Sequence, residues 1–423
     1  MNQSSKSTLL PIIIIGALFF IFGFVTWLNS TLILYFRLAC QLTTLQAFFV
    51  TFAFYISYFI MALPSSWLLQ KTGFKNGMML GLFVMSLGAF VFIPAAHTRI
   101  YGLFLAGLFI IGTGLSVLQT ASNPYITIVG PIESAARRIS IMGICNKVAG
   151  VLAPIIFGSI LLLNTNTFEK DLKVLDVAQK TLKLNELASR IVFPYFLMAL
   201  ILAGLAILIR FSALPEIEEE QEVDSSLAKS IQRTSILQFP NLILGILAIF
   251  LYVGVEVMAG DTIGLYGQSQ GIDLSQARFF PALTLSAMVI GYIIGIITIP
   301  KIISQSKALA ISAVTGVTFS IVAIHTQGYT SVLFIALLGL ANALMWPAIW
   351  PLAIHGLGKY TKIGSAMLIM AIAGGAILPL LYGRLADVLF IGHRMAYWIM
   401  VPCYIYILFY SIKGYRIAKW KKS

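Results

Sequence analysis

Two charged side chains interrupt long apolar stretches of the sequence: Lys147, beside Asn146 in "MGICNKVAGVLAP", and Glu256, in "LYVGVEVMAGD". An ammonium alone in hydrocarbon is costly. Lys147 must therefore occupy a water-filled cavity, pair with a carboxylate or lose its proton. Glu256 and Asp261 are its candidate partners. A fixed pair would lock two parts of the chain together, whereas a pair that a proton or a sodium ion displaces would couple that ion to a second solute. Asp261 is five residues on from Glu256 and off its helical face, inside "MAGDTIG", where two glycines loosen the helix. It is the second candidate, as a capping group or cation ligand, and a sodium ion at Glu256 or Asp261 is the one metal that this reading allows.

The other polar groups inside apolar runs are few. They are Trp27, Asn29 and Ser30; Gln119 and Asn123; Tyr252; and Asn342, Trp346, Trp350 and His355. Gln119 with Asn123, Tyr252 with Glu256, and Asn342 with Trp346 are four apart, so each pair projects from one side of a helix. Amides and flat aromatic rings facing one cavity suit a sugar. Each amide both donates to and accepts from hydroxyls, and the C–H face of a pyranose stacks on an aromatic ring. The substrate-binding candidates are thus Asn146, Gln119, Asn123, Asn29, Asn342, Trp346 and Tyr252. The ion-coupling candidates are Glu256, Lys147 and Asp261. For any single amide the competing role is interhelical bonding, worth about 1 kcal/mol or less. Trp350 and His355 fit interfacial anchors better.

The elements that must position these groups are membrane helices. Of 423 residues 59% are hydrophobic and 10% charged, and the mean hydropathy is +0.94. A hydrocarbon core about 30 Å thick takes roughly 20 apolar residues per helical span. Such runs lie at 9–38, 45–70, 76–96, 100–129, 138–163, 190–211, 240–266, 278–300, 307–325, 330–356, 363–389 and 395–413. The reading is an all-α membrane protein of twelve spans, in two six-helix bundles, 1–211 and 240–423, joined by a polar cytoplasmic linker, 212–239. The segment 165–189 reads as an amphipathic helix at the interface. Lysine and arginine concentrate in the loops on the side of the termini, so both termini are expected in the cytoplasm.

A repeat supports the six-plus-six division. Ser140, Met142, Gly150, Pro154 and Gly158 recur in the same order and spacing as Ser365, Met367, Gly375, Pro379 and Gly383. Two parallel repeats with a site between them at mid-membrane are a transporter architecture.

Several function classes drop out. The net charge of +13 comes from short loops and not from a basic stripe, so no nucleic-acid partner is expected. Cys40, Cys145 and Cys403 are odd in number and scattered, which implies neither disulfides nor a metal cluster. No catalytic motif is present, the histidines are scattered, and neither an enzyme nor a cofactor is expected. In "GRLAD" Arg384 and Asp387 are spaced to pair locally, but simple helix-end electrostatics is the preferred account of them.

At "LQTASNPYITIVGP", "RRISIMGICNKVAGVLAP" and "GSAMLIMAIAGGAILPLLYGRLAD" the chain resembles the L-fucose permease and glucose/galactose transporter branch of the major facilitator superfamily. The resemblance runs over nearly the whole chain. The loop "LLQKTGFKNG" is similar to that superfamily's cytoplasmic signature, with Ser66, Gln70 and Lys71 in place of its Gly, Asp and Arg. The resemblance implies a twelve-helix secondary active sugar transporter in a bacterial inner membrane, driven by protons or sodium. It implies a sugar-binding role for Asn146. Fucose permeases carry an aspartate where this chain has Ser30 and a glutamate where it has Gln119, and neither residue here takes up a proton. Lys147 is shared with relatives nearer the glucose/galactose and N-acetylglucosamine carriers.

The expectation is a monomer importing a hexose or amino sugar (glucose/galactose, N-acetylglucosamine or fucose) with a proton or sodium ion by alternating access. A small-molecule or drug antiporter, or an uncoupled sugar facilitator, is the alternative within the same fold.

Overall fold

A computed structural model describes residues 3–128, 135–165, 167–212, 214, 235–299, 302–417 and 420. The described residues are overwhelmingly helical, as a chain in hydrocarbon must be when every backbone N–H and C=O needs a partner within its own segment. Eleven helical stretches are long and apolar enough to cross a membrane. One of them, Thr44–Thr98, has 55 residues. A straight helix of that length would extend about 80 Å, far beyond one bilayer. It is two spans joined at Gly73, whose φ of 75° lies in the left-handed region open to glycine. Twelve spans result, in close register with the apolar runs of the sequence. The expected linker, 212–239, falls mostly outside the described residues.

Span five (Ile141–Leu161) lies along span eight (Leu274–Thr298), and span two lies along span eleven (Ile363–Ala386). These two packings join the first six spans to the last six. The face of the membrane where the first span begins is called here the terminal face, and the opposite one the far face.

Helices break where the sequence places polar groups. Span one is interrupted at Leu28, between the helices Gln3–Trp27 and Asn29–Ala39. Span seven breaks at Thr262, after Pro240–Asp261, within the glycine-flanked "MAGDTIG". Span ten breaks between Gly328–Asn342 and Met345–Ile354. Span eleven tightens to a 3₁₀ turn at Ala371–Ala373, the repeat position of Asn146 and Lys147. Interrupted helices expose backbone polar groups only where protein or a cavity receives them, and so they mark binding sites in transporters.

The segment expected as an amphipathic helix forms two, Phe168–Val174 and Val177–Ser189. Asp176 caps the second by accepting from the Gln179 amide. Its Leu184, Leu187 and Ala188 are buried, while Val177 and Leu182 face outward. The Tyr35 hydroxyl donates to the carbonyls of Leu187 and Ala188, which ties this helix to span one at the far face.

Candidate functional site at the seam between the halves

Lys147 and Glu256 meet across the seam. Lys147 Nζ lies 2.8 Å from Glu256 Oε1, and the two residues are only 7% and 8% exposed. Of the three solutions open to a mid-membrane lysine, the chain uses the carboxylate partner. A buried pair of this kind is not by itself stabilising, because desolvation offsets much of the attraction. Removing one partner is another matter, costing about 3–5 kcal/mol by stranding the other charge.

Aromatic groups continue the site from Glu256. Tyr252, one turn earlier on the same helix, has its hydroxyl beside the Glu256 carboxylate, and the hydroxyls of Tyr55, Tyr292 and Tyr404 are within its electrostatic reach. The Tyr252 ring centroid is 6.4 Å from that of Trp346, which stacks on Trp350 at 5.2 Å. Trp350 thus joins the aromatic row, while His355 is exposed at the end of its helix. Trp346 and Trp350 are half-buried.

The amides divide into two groups. Asn146, Gln119 and Asn123 are half-buried. Asn146 Nδ2 donates weakly to the Phe19 carbonyl at 3.4 Å, and Gln119 Nε2 donates to the Tyr58 hydroxyl at 3.1 Å. Asn29 is fully enclosed, and neither atom of its amide has a hydrogen-bond partner. Asn342 is likewise fully buried, with Oδ1 accepting from the Tyr404 hydroxyl at 2.9 Å and Nδ2 without a partner. The Oδ1 bond joins spans ten and twelve within the last six helices.

Asp261 stands apart from Lys147. It is 2% exposed, its Oδ2 accepts from the Thr51 hydroxyl of span two at 3.0 Å, and its Oδ1 has no partner. Sequence reasoning missed Thr51 and Tyr58. With Tyr55 they form an i, i+4, i+7 row on span two, a pattern that marks a common face but not what the face meets.

Five hydrogen bonds between described residues join the first six spans to the last six. Besides Lys147–Glu256 and Thr51–Asp261, Arg278 donates to the Leu162 carbonyl, Arg37 to Gln268 Oε1 and the Leu45 amide to Asp387 Oδ2. Asp387 thus bonds across the seam while Arg384 stays exposed. These contacts run from mid-membrane to the far face, so the far face is closed in this state.

Close helix approach sets the position of Asn146. A Cβ added at Gly23 of span one would come within 1.8 Å of the Asn146 carbonyl oxygen, a backbone atom that yields only if the helices part. Gly23→Ala is therefore expected to abolish transport and lower the melting temperature of the purified protein. The clash exceeds the overpacking that costs roughly 1–3 kcal/mol in other cores. Gly204→Ala, with nothing within 4 Å of its added methyl, is the control and should leave both unchanged. Equal behaviour of the two variants would contradict this packing.

The comparisons with known proteins agree with the fold. The Major Facilitator Superfamily sequence model matches residues 13–379. A glucose/galactose transporter of Brucella abortus biovar 1 (strain 9-941) is 36% identical over 400 residues, covering 94% of this chain and 92% of the relative. An L-fucose-proton symporter of Escherichia coli (strain K12) is 30% identical over 392 residues, covering 90% and 88%. The crystal structure of a major facilitator transporter, FucP, in the outward conformation superposes with a TM-score of 0.73 at 28% identity, covering 96% of this chain and 98% of that one. These relatives are transporters and not enzymes. With twelve spans, a seam between two sets of six and a polar site on it, the chain is a multi-pass membrane protein that belongs to the Major Facilitator Superfamily.

Proposed function

We propose that the chain is a secondary active sugar transporter that imports a hexose, glucose or galactose first among candidates, together with a proton by alternating access. The observation that carries this reading is the buried Lys147–Glu256 pair, the one ion pair among the described residues that joins the two sets of six spans. Such a pair is a switch when one partner changes charge. Protonation of Glu256 removes the attraction that holds the halves at mid-membrane and frees the ammonium to turn toward water or a sugar hydroxyl. Asp261, bonded to Thr51 nearer the far face, is the second protonatable group of the same route. Asn146, Gln119, Asn123 and Asn29 supply donors and acceptors to sugar hydroxyls, and Tyr252 and Trp346 supply the stacking face.

Two lines of support lie outside the site. Relatives named glucose/galactose transporter and L-fucose-proton symporter align over nearly the whole chain, and the second name specifies the proton. Residues 1–211 and 240–423 are the units that rock about the seam, as parallel repeats of this architecture do. The protein works in a bacterial inner membrane with both termini in the cytoplasm, as a monomer. In that orientation the closed far face is the external one.

The test is uptake of labelled glucose, galactose, fucose and N-acetylglucosamine by reconstituted vesicles under an inward proton gradient, a sodium gradient or neither. Glucose or galactose should accumulate above the outside concentration with the proton gradient alone. Accumulation only with sodium would change the ion, and uptake that never exceeds equilibrium would make the protein a facilitator. Dye efflux without sugar uptake would make it an antiporter.

A further inference from the structure

Trp27 belongs to span one but lies among residues of the last six. Its side chain packs with Leu285, Met288 and Tyr292 of span eight and Ala343 of span ten. The residue is 2% exposed, and its indole Nε1 has no hydrogen-bond partner. Two glycines make room for the ring from opposite sides of the seam. A Cβ at Gly150 of span five would fall 2.5 Å from Trp27 Cδ1, and a Cβ at Gly260 of span seven 2.4 Å from Cζ3. Lys147 Nζ sits over the ring, 4.6 Å from its centroid. The ammonium therefore has two partners, the Glu256 carboxylate at 2.8 Å across the seam and the indole face within its own half.

We infer that Trp27 is a positioning residue for the Lys147–Glu256 pair: clamped between Gly150 and Gly260, its ring holds the ammonium in line with the carboxylate when the two halves close. The inference rests on the coupling role given above to that pair and adds the element that sets its geometry. A lysine side chain has four rotatable bonds and a strongly hydrated head, so a carboxylate alone leaves its approach direction loose. An aromatic face attracts the cation most strongly where water is excluded, and at this seam it also fixes the direction of approach. The ring reports closure because half of its slot is supplied by Gly260, across the seam. When the halves part, the ammonium loses the carboxylate and the ring loses the Gly260 side of its slot.

The experiment compares Trp27→Leu, Trp27→Phe and Gly260→Ala with wild type in reconstituted vesicles, measuring proton-driven sugar accumulation beside sugar-for-sugar exchange. Trp27→Leu keeps apolar bulk but removes the π face. It should lower accumulation at least fivefold while exchange stays within twofold. Trp27→Phe keeps a π face and should restore accumulation to within twofold of wild type. Gly260→Ala displaces the ring and should match Trp27→Leu, and the double variant should be no worse than either single one.

Accumulation by Trp27→Leu equal to wild type would overturn the inference. So would a Phe variant as defective as Leu, or a Leu variant that loses exchange and accumulation in equal proportion, since simple packing predicts both. Should Trp27→Leu not reach the membrane, the Phe and Gly260→Ala pair carries the same test. Glu256→Gln in the same vesicles separates the two levels. If it accumulates sugar normally, the coupling role of the pair fails. If it does not accumulate sugar while Trp27→Leu does, only the role of Trp27 fails.

Discussion

Glu256→Gln is expected to abolish proton-driven accumulation of sugar and to leave exchange of internal for external sugar largely intact. Glutamine preserves the shape and one acceptor for Lys147 Nζ, so the 2.8 Å contact keeps a neutral partner. What disappears is the negative charge and with it the capacity to bind a proton. Exchange requires only that the loaded protein reorient. Accumulation requires the empty protein to return in a defined protonation state, and that state is what Glu256 records. Lysine left opposite an amide while only 7% exposed is strained by several kcal/mol. Total transport should therefore fall as well, but less than accumulation. The readout is the ratio of internal to external sugar at steady state, expected to drop to about one. Unchanged accumulation would remove Glu256 from the coupling route.

The second large effect is expected at Asn146. Its amide nitrogen makes only a long bond to the Phe19 carbonyl, and its side chain is half-buried, so the group is held in place with capacity to spare. Asn146→Ala would leave a substrate hydroxyl without its partner, at a cost of roughly 1–3 kcal/mol, which raises the half-saturation concentration about five- to 150-fold. The protein should reach the membrane at normal levels, because the bond it loses internally is weak. Gln119→Ala should act in the same direction, tempered by the loss of the Tyr58 contact. Normal half-saturation in both variants would exclude these amides from the sugar site.

What was legible in the sequence follows from the physics of the bilayer. Each span needs its own apolar run, so the twelve spans were countable, and the merged helix Thr44–Thr98 required only that Gly73 be read as a turn. The Lys147–Glu256 pair was legible for a related reason: with so few charges at mid-membrane, a lysine has few carboxylates to choose from. The break after Asp261 was likewise signalled by its flanking glycines.

Relations that depend on helix rotation and register were not legible. Asn342 has the same composition signal as Asn146, yet one bonds within its own bundle to Tyr404 and the other lies half-open near the seam. Thr51 meets Asp261, and Trp27 fits between Gly150 and Gly260, through contacts between helices distant in the chain. Asp387 had a cation three residues away and bonded instead to a backbone amide of the opposite half. A local spacing rule describes an isolated helix end and says nothing of a neighbour that closes over it.

The central claim is that a proton enters with the sugar through Glu256. The most direct measurement is the external pH when galactose or glucose is added to de-energised cells or vesicles containing the protein. The account predicts that the medium turns alkaline as sugar enters through the wild type, and that it does not with Glu256→Gln although sugar still equilibrates. A sugar-dependent alkaline shift of undiminished size in the Gln variant would contradict it.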